Sequence, residues 1–143
     1  MKSITSVLFL FVALSLSSCN KGHSNSEIEA AMQQYDHLIQ KLDADSISLM
    51  FTPNGNMGDQ AHGRDSIKRY LSGFTNVKVL SQHSSSDSIF ITGDSCTQKG
   101  MYNQVTVVSP GDTLKLQGNY IAHWLWSKNT GWLLSSIKTI PKN

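Results

Sequence analysis

The chain reads as an α+β domain in which helices come first and an antiparallel meander follows. Two observations carry that reading. Ile28, Ala31, Met32, Tyr35, Leu38, Ile39 and Leu42 recur at helical spacing. From Val77 onward the pattern changes to period two and continues to Ile140, broken by Gly93-Asp94, Ser109-Pro110-Gly111-Asp112 and Asn129-Thr130-Gly131.

Ser26-Glu27-Ile28-Glu29 predicts a capping box at the start of the first helix, with Glu29 reaching back to the serine. Asp36, Gln40 and Lys41 fall outside the apolar stripe. Asp43-Ala44-Asp45 ends this helix and caps a short second one through Ile47, Leu49, Met50 and Phe51. Pro53-Asn54-Gly55 turns the chain. A short strand is expected near Asn56 to Gln60, then a third helix over Asp65 to Phe74. Val77, Val79, Ser81 and His83 alternate with Lys78, Leu80 and Gln82. Ser88 to Thr92, Cys96 to Val108, Leu114 to Trp126 and Trp132 to Ile140 complete the strands. On the Leu114 strand, Leu116, Tyr120, Ala122, Trp124 and Trp126 share one face, and Lys115, Gln117, Asn119 and His123 share the other.

The N-terminus carries a separate message. Lys2, an unbroken apolar run from Val7 to Leu14, and Leu16-Ser17-Ser18-Cys19 have the layout of a secretory signal. Eight apolar residues fall short of the roughly 20 that cross a bilayer as a helix. Leu-Ser-Ser-Cys resembles the bacterial lipobox. That resemblance implies cleavage after residue 18, acylation of Cys19 and attachment of the protein to a membrane. The expected division is a signal over 1–18, the lipidated cysteine and a polar tether over 19–25, and one domain over 26–143. By resemblance to Gram-negative lipoproteins, the lack of aspartate after Cys19 implies the periplasmic face of the outer membrane. So short a tether places the ligand or partner close to the membrane surface. Cys96 then lacks an intramolecular disulfide partner.

Composition narrows the function. Without Lys2, eleven Lys and Arg face ten Asp and Glu, so no concentrated basic face points to nucleic acid. Serine-hydrolase order, phosphate loop and paired-cysteine motifs are absent, and no cofactor is called for. His62, His83, His123 and Asp59 match no metal-ligand spacing, so no metal is expected.

The order of elements, with Tyr35, Asp43, Leu49-Met50-Phe51, Gly63-Arg64-Asp65-Ser66-Ile67, Gly93-Asp94, Gly118 and Trp132, resembles the nuclear-transport-factor-2-like fold in its SnoaL-like branch. The resemblance covers Ser26 to Ile140. It implies a cone in which a curved sheet wraps the first helix around a pocket. Aligning Asp43 and Phe51 with the steroid-isomerase branch places Tyr35 on that branch's pocket tyrosine and Asp59 on its catalytic aspartate. The second oxyanion donor of that branch is replaced here by Ala122.

Three functions stay open. One is a lipid-anchored domain holding a small, largely apolar molecule, with Tyr35, Phe51, Tyr120, Ala122 and Trp124 as ligand contacts. Another is a cofactor-independent isomerase, dehydratase or cyclase with Asp59 as base, Tyr35 as oxyanion donor and His83 as a further acid. The third is a homodimeric assembly module of the cell envelope, using Val105, Ile121 and Leu125 on the sheet's outer face. Tyr35 and His83 read equally as buried core residues, and Asp59 as a turn carboxylate.

Overall fold

The computed structural model describes residues 22–109 and 111–142. The expected signal over 1–18 and Cys19 lie outside them. Helix α1 spans Asn25–Lys41, α2 Ala44–Leu49 and α3 Arg64–Ser72. The strands are β1 Phe51–Met57, β2 Ala61–His62, β3 Val77–Thr92, β4 Ser95–Val108, β5 Asp112–Ser127 and β6 Gly131–Pro141. They form one sheet in the order β2-β1-β6-β5-β4-β3. The β1–β6 pair is parallel and every other pair antiparallel. This is the cone-shaped α+β arrangement that the sequence predicts.

Helix α1 buries Ile28, Met32, Tyr35 and Leu38 against the concave side of the sheet. The core below it is Trp124, Tyr120, Phe51, Ile47, Ile67 and Leu134, all essentially inaccessible to water. Burying aromatic and aliphatic side chains of this size is the main force that folds the sheet around the helix. Close approach at the sheet's bend depends on glycine. A Cβ at Gly100 would collide with the Ser85 carbonyl and come within 2.9 Å of the Tyr120 ring, so the bare backbone there lets Tyr120 lie across the strand.

Several boundaries differ from the sequence reading. The N-cap of α1 is Ser24, not Ser26, and it makes no side-chain cap. Ser24 is extended (φ −118°, ψ 155°), so Ser26 is already inside the first turn, and its hydroxyl meets the Ser24 hydroxyl at 2.9 Å. Phe51 opens β1 instead of ending α2. Val77 to Thr92 is one strand, not two.

That strand contains two β-bulges, between Val79 and Ser81 and between Ser86 and Ser88. Each inserts one residue, and each inserted residue reverses which side chains face the helix. Val79 points inward opposite Thr106; beyond the first bulge Gln82, Ser84 and Ser86 point inward; beyond the second, Ile89 and Ile91 do. His83 therefore faces outward beside Asn103 and is exposed. Its predicted entry into the pocket is overturned, because unbroken alternation from Val77 does not survive the bulge.

Candidate ligand-binding site

The cone is not filled. Between the C-terminal half of α1, α3 and the inner faces of β3 to β6 lies a cavity of about 660 Å³. That size lies within the range of small-molecule pockets. Its apolar wall includes Ile39, Leu42, Phe74, Val79, Leu114 and Leu116, and its polar wall Tyr35, Gln82, Ser84, Tyr102, Gln104 and Tyr120.

The cavity occupies the end of the sheet where β3 and β5 begin and β4 and β6 end. The entry of the chain into α1 is at the other end. There the His23 ring packs 4.7 Å from both Trp126 and Trp132. Its Nδ1 is 3.0 Å from Glu27 and its Nε2 is 3.4 Å from Asp94. Trp132 Nε1 donates to the same Glu27 carboxylate at 3.1 Å. His23 is thus part of the folded domain, which starts ahead of the predicted Ser26.

Tyr35 lies where the sequence puts it, on the buried stripe of α1 and in the cavity wall. Burial, with the neighbouring Asp36 charge, pushes its hydroxyl well above the ordinary tyrosine range and keeps it protonated. Its ring stands edge-on to Phe51, centroids 6.3 Å apart. Phe51 therefore supports Tyr35 from below and is not itself a wall of the cavity.

Asp59 does not join Tyr35 in a buried pair. Strand β1 ends at Met57, and Gly58 takes a left-handed conformation (φ 56°) that swings the next residue outward. The Asp59 side chain is 82% exposed at the cavity rim and pairs with Lys138 at 3.1 Å. Asp59 is turned to solvent and to Lys138 instead of being enclosed with Tyr35, so the predicted catalytic pair is not assembled.

Ala122 and Trp124 face inward on β5, but both are completely buried under α1 and do not line the cavity. With Phe51, they are core residues, not ligand contacts. Trp124 Nε1 donates to Gln98 Oε1 at 3.0 Å, Gln98 Nε2 donates to Ser86 Oγ at 2.8 Å, and Ser86 Oγ lies 3.5 Å from the Tyr120 hydroxyl. Of the five predicted contacts, Tyr35 and Tyr120 reach the cavity.

The residue that sequence reasoning missed is Asp36. It lies outside the apolar stripe, yet it is buried. Ser84 donates to it twice, from the backbone N–H at 2.6 Å and from Oγ at 2.7 Å; Gln82 Nε2 donates at 3.0 Å. One turn further on, Gln40 Nε2 donates to the carbonyl of Leu80, the residue inserted at the first bulge, at 2.8 Å. Asp36 and Gln40 therefore clasp the bulged strand to α1. The available signal was their i, i+4 spacing, which puts both on one side of the helix.

His62 and His123 lie apart from the cavity. His62 Nδ1 meets Asn56 Oδ1 at 2.6 Å, and His123 Nδ1 meets Thr97 Oγ1 at 3.1 Å on the outer face.

Solved structures place this arrangement among nuclear-transport-factor-2-like folds. A ketosteroid isomerase-like protein from Erwinia carotovora atroseptica is similar at 19% identity and a TM-score of 0.71, over 82% of this chain and 95% of that one. A nuclear transport factor 2-like superfamily protein from Salmonella enterica serovar Typhimurium shows 17% identity and 0.69, over 82% and 90%. A similar protein with a cystatin-like fold from Novosphingobium aromaticivorans shows 17% identity and 0.67, over 80% and 79%. No family model and no curated protein matches the chain. At these identities the likeness establishes the fold, and a fold of this kind carries many functions.

Proposed function

We propose that the chain is a lipid-anchored, SnoaL-like binding domain that holds a small, largely apolar molecule in its cone. The observation that carries this reading is the cavity of about 660 Å³, walled by aliphatic and aromatic side chains together with a polar side that includes Gln82, Ser84 and Gln104. The exposed position of Asp59 favours binding over proton-transfer chemistry. Native mass spectrometry against rigid apolar compounds of two to four rings tests it. One bound molecule per chain is the expected result, and no retained compound would overturn it.

Cys19 supplies the anchor in this reading. In this reading the cavity, which lies at the end of the sheet remote from His23, sits on the side away from the bilayer. Along β4 the cavity lining begins at Tyr102, seven residues from Ser95, which is roughly 23 Å of strand. The ligand is then met in the aqueous space of the envelope, not at the membrane surface as the tether length by itself suggests. Labelled palmitate incorporation that disappears in Cys19→Ala is the expected outcome; unchanged labelling would remove the anchor and leave the cavity untouched.

A second reading, a homodimer formed through the outer sheet face, draws on Phe90 and Leu125, which are 70% and 46% exposed there. Sedimentation equilibrium would give a dimer that Leu125→Glu converts to monomer. A monomer at every concentration would dismiss it.

A further inference from the structure

The cavity wall changes character from one strand to the next. Along β4 it is made by Tyr102, Gln104, Thr106 and Val108, alternate positions that share the inner face. Along β5 four consecutive residues, Leu114 to Gln117, line it, and along β6 Ile137, Lys138 and Thr139 do. Consecutive residues of a strand point to opposite faces, so a space that touches all of them reaches round the strand's edge. The sheet steps back at this end: β1 stops at Met57 beside Ile137, and β6 stops at Pro141 beside Gly118. Asp112 to Leu116 of β5 therefore have no strand on that side, and the mouth of the cavity lies along the stepped edge. Charge in the lining is confined to this edge, in Asp59, Lys115, Lys138 and Lys142. Further in, the wall holds only apolar side chains, amides and hydroxyls. Asp59 is matched by Lys138 at 3.1 Å. Among the described residues Lys115 and Lys142 meet no carboxylate, and Lys142 Nζ has Met101 Sδ at 3.6 Å, a weak acceptor.

Resting on the reading of the cone as a binding site, we propose that its ligand is an anionic amphiphile. The apolar body lies in the cone, and a carboxylate, sulfate or phosphate head stays at the mouth. An ionic group carried into the uncharged interior would lose its water without gaining a partner, so it remains at the edge. There three ammonium groups face one carboxylate, and the positive excess selects an anion over a cation. Lys115 and Lys142 supply the selection. Both leave their strands on the outer side of the rim, where long stems let the ammonium groups turn to a head emerging beside β5. Both are exposed, so each ion pair is modest and weakened by salt. A neutral molecule with the same body keeps the burial and forgoes these contacts.

The test uses a matched pair, 1-pyrenebutanoate and its primary amide, which share a ring system and differ in charge. Calorimetric titration at pH 7 in about 20 mM salt is expected to show the butanoate binding about fivefold more tightly, the effect of two exposed ion pairs. In about 1 M salt, where charges are screened beyond roughly 3 Å, the two affinities converge. In the double variant Lys115→Gln, Lys142→Gln the low-salt ratio falls to within about twofold, and the affinity for the amide is unchanged. The control is Lys99→Gln with Lys128→Gln, which removes the same net charge from positions outside the lining and should keep the parent ratio. An equal fall in that control would trace the preference to net charge and overturn the role of the mouth. Equal parent affinities, tighter binding of the amide, a ratio indifferent to salt, or an undiminished ratio in the Lys115 and Lys142 variant overturns anion selection while leaving the binding site standing. Retention of neither compound overturns the binding site and anion selection with it.

Discussion

Asp36 on α1 and Ser84 on β3, forty-eight residues apart, meet through two hydrogen bonds of 2.6 and 2.7 Å. This pair joins the helix to the longest edge strand of the sheet and closes one side of the cone. Asp36→Ala would leave the Ser84 amide and the Gln82 side chain without partners in a buried place. The expected loss is about 2–4 kcal/mol, since orphaned buried donors cost more than the bond they made. Ser84→Ala keeps the backbone bond and should lose about 1 kcal/mol. Urea unfolding of the two variants beside the parent measures both.

The chain from Trp124 through Gln98 and Ser86 to Tyr120 makes a second prediction. Gln98→Leu strands the Trp124 indole N–H in the core, with an expected loss of about 1–3 kcal/mol. Trp124→Ala removes the largest fully buried side chain and should cost about 3–5 kcal/mol. A thermal melt followed by tryptophan fluorescence distinguishes the two magnitudes.

Alkaline pH should unfold the domain through its tyrosines. Burial pushes the hydroxyls of Tyr35, Tyr102 and Tyr120 above their ordinary value of 10.0. For a group raised in the folded state, the stabilising contribution is complete below the unfolded value and lost as pH rises through the folded one. Stability should therefore hold to about pH 10 and fall above it. Absorbance at 295 nm should show these phenols ionising together with the loss of near-ultraviolet dichroism. Ionisation of all of them in a still-folded protein would contradict their burial.

At the other end of the cone, Glu27 is held below its ordinary carboxyl value first by the Trp132 indole and then by His23. A depressed carboxylate contributes above its unfolded pKa, and the contribution is lost as pH falls through the folded value. Glu27→Gln should lower the melting temperature at pH 7 and match the parent at pH values below about 3. A constant difference between the two proteins across that range would rule out the charge as the cause.

How much of this was legible follows from where strand periodicity is interrupted. Strand β5 alternates without a break across its paired length on β4, so Tyr120, Ala122 and Trp124 are correctly placed on the inner face. What the pattern does not reveal is how far along that face the cavity extends, and Ala122 and Trp124 fall in the solid part. Strand β3 misleads because Leu80 and Asp87 are inserted at bulges, and no local feature of Val77 to Ser88 marks either one. His83 is lost from the pocket and Gln82 and Ser84 are gained for that single reason. Asp59 is displaced by one left-handed glycine. Asp36 is hidden because a polar residue beside a helix stripe reads as solvated until its partners, far away in sequence, are known.

A cavity between α1 and the sheet that binds a small molecule must lose that molecule when the space is filled. Leu116 faces it from β5, opposite Gln104, and is partly exposed, so Leu116→Trp fills space without disturbing the core. Calorimetric titration of 2-naphthol into the parent and into Leu116→Trp measures that loss. One site per chain in the parent, weakened by about tenfold or more in a variant whose melting temperature is unchanged, is the predicted result. Equal binding by both proteins, or none by the parent, would contradict it.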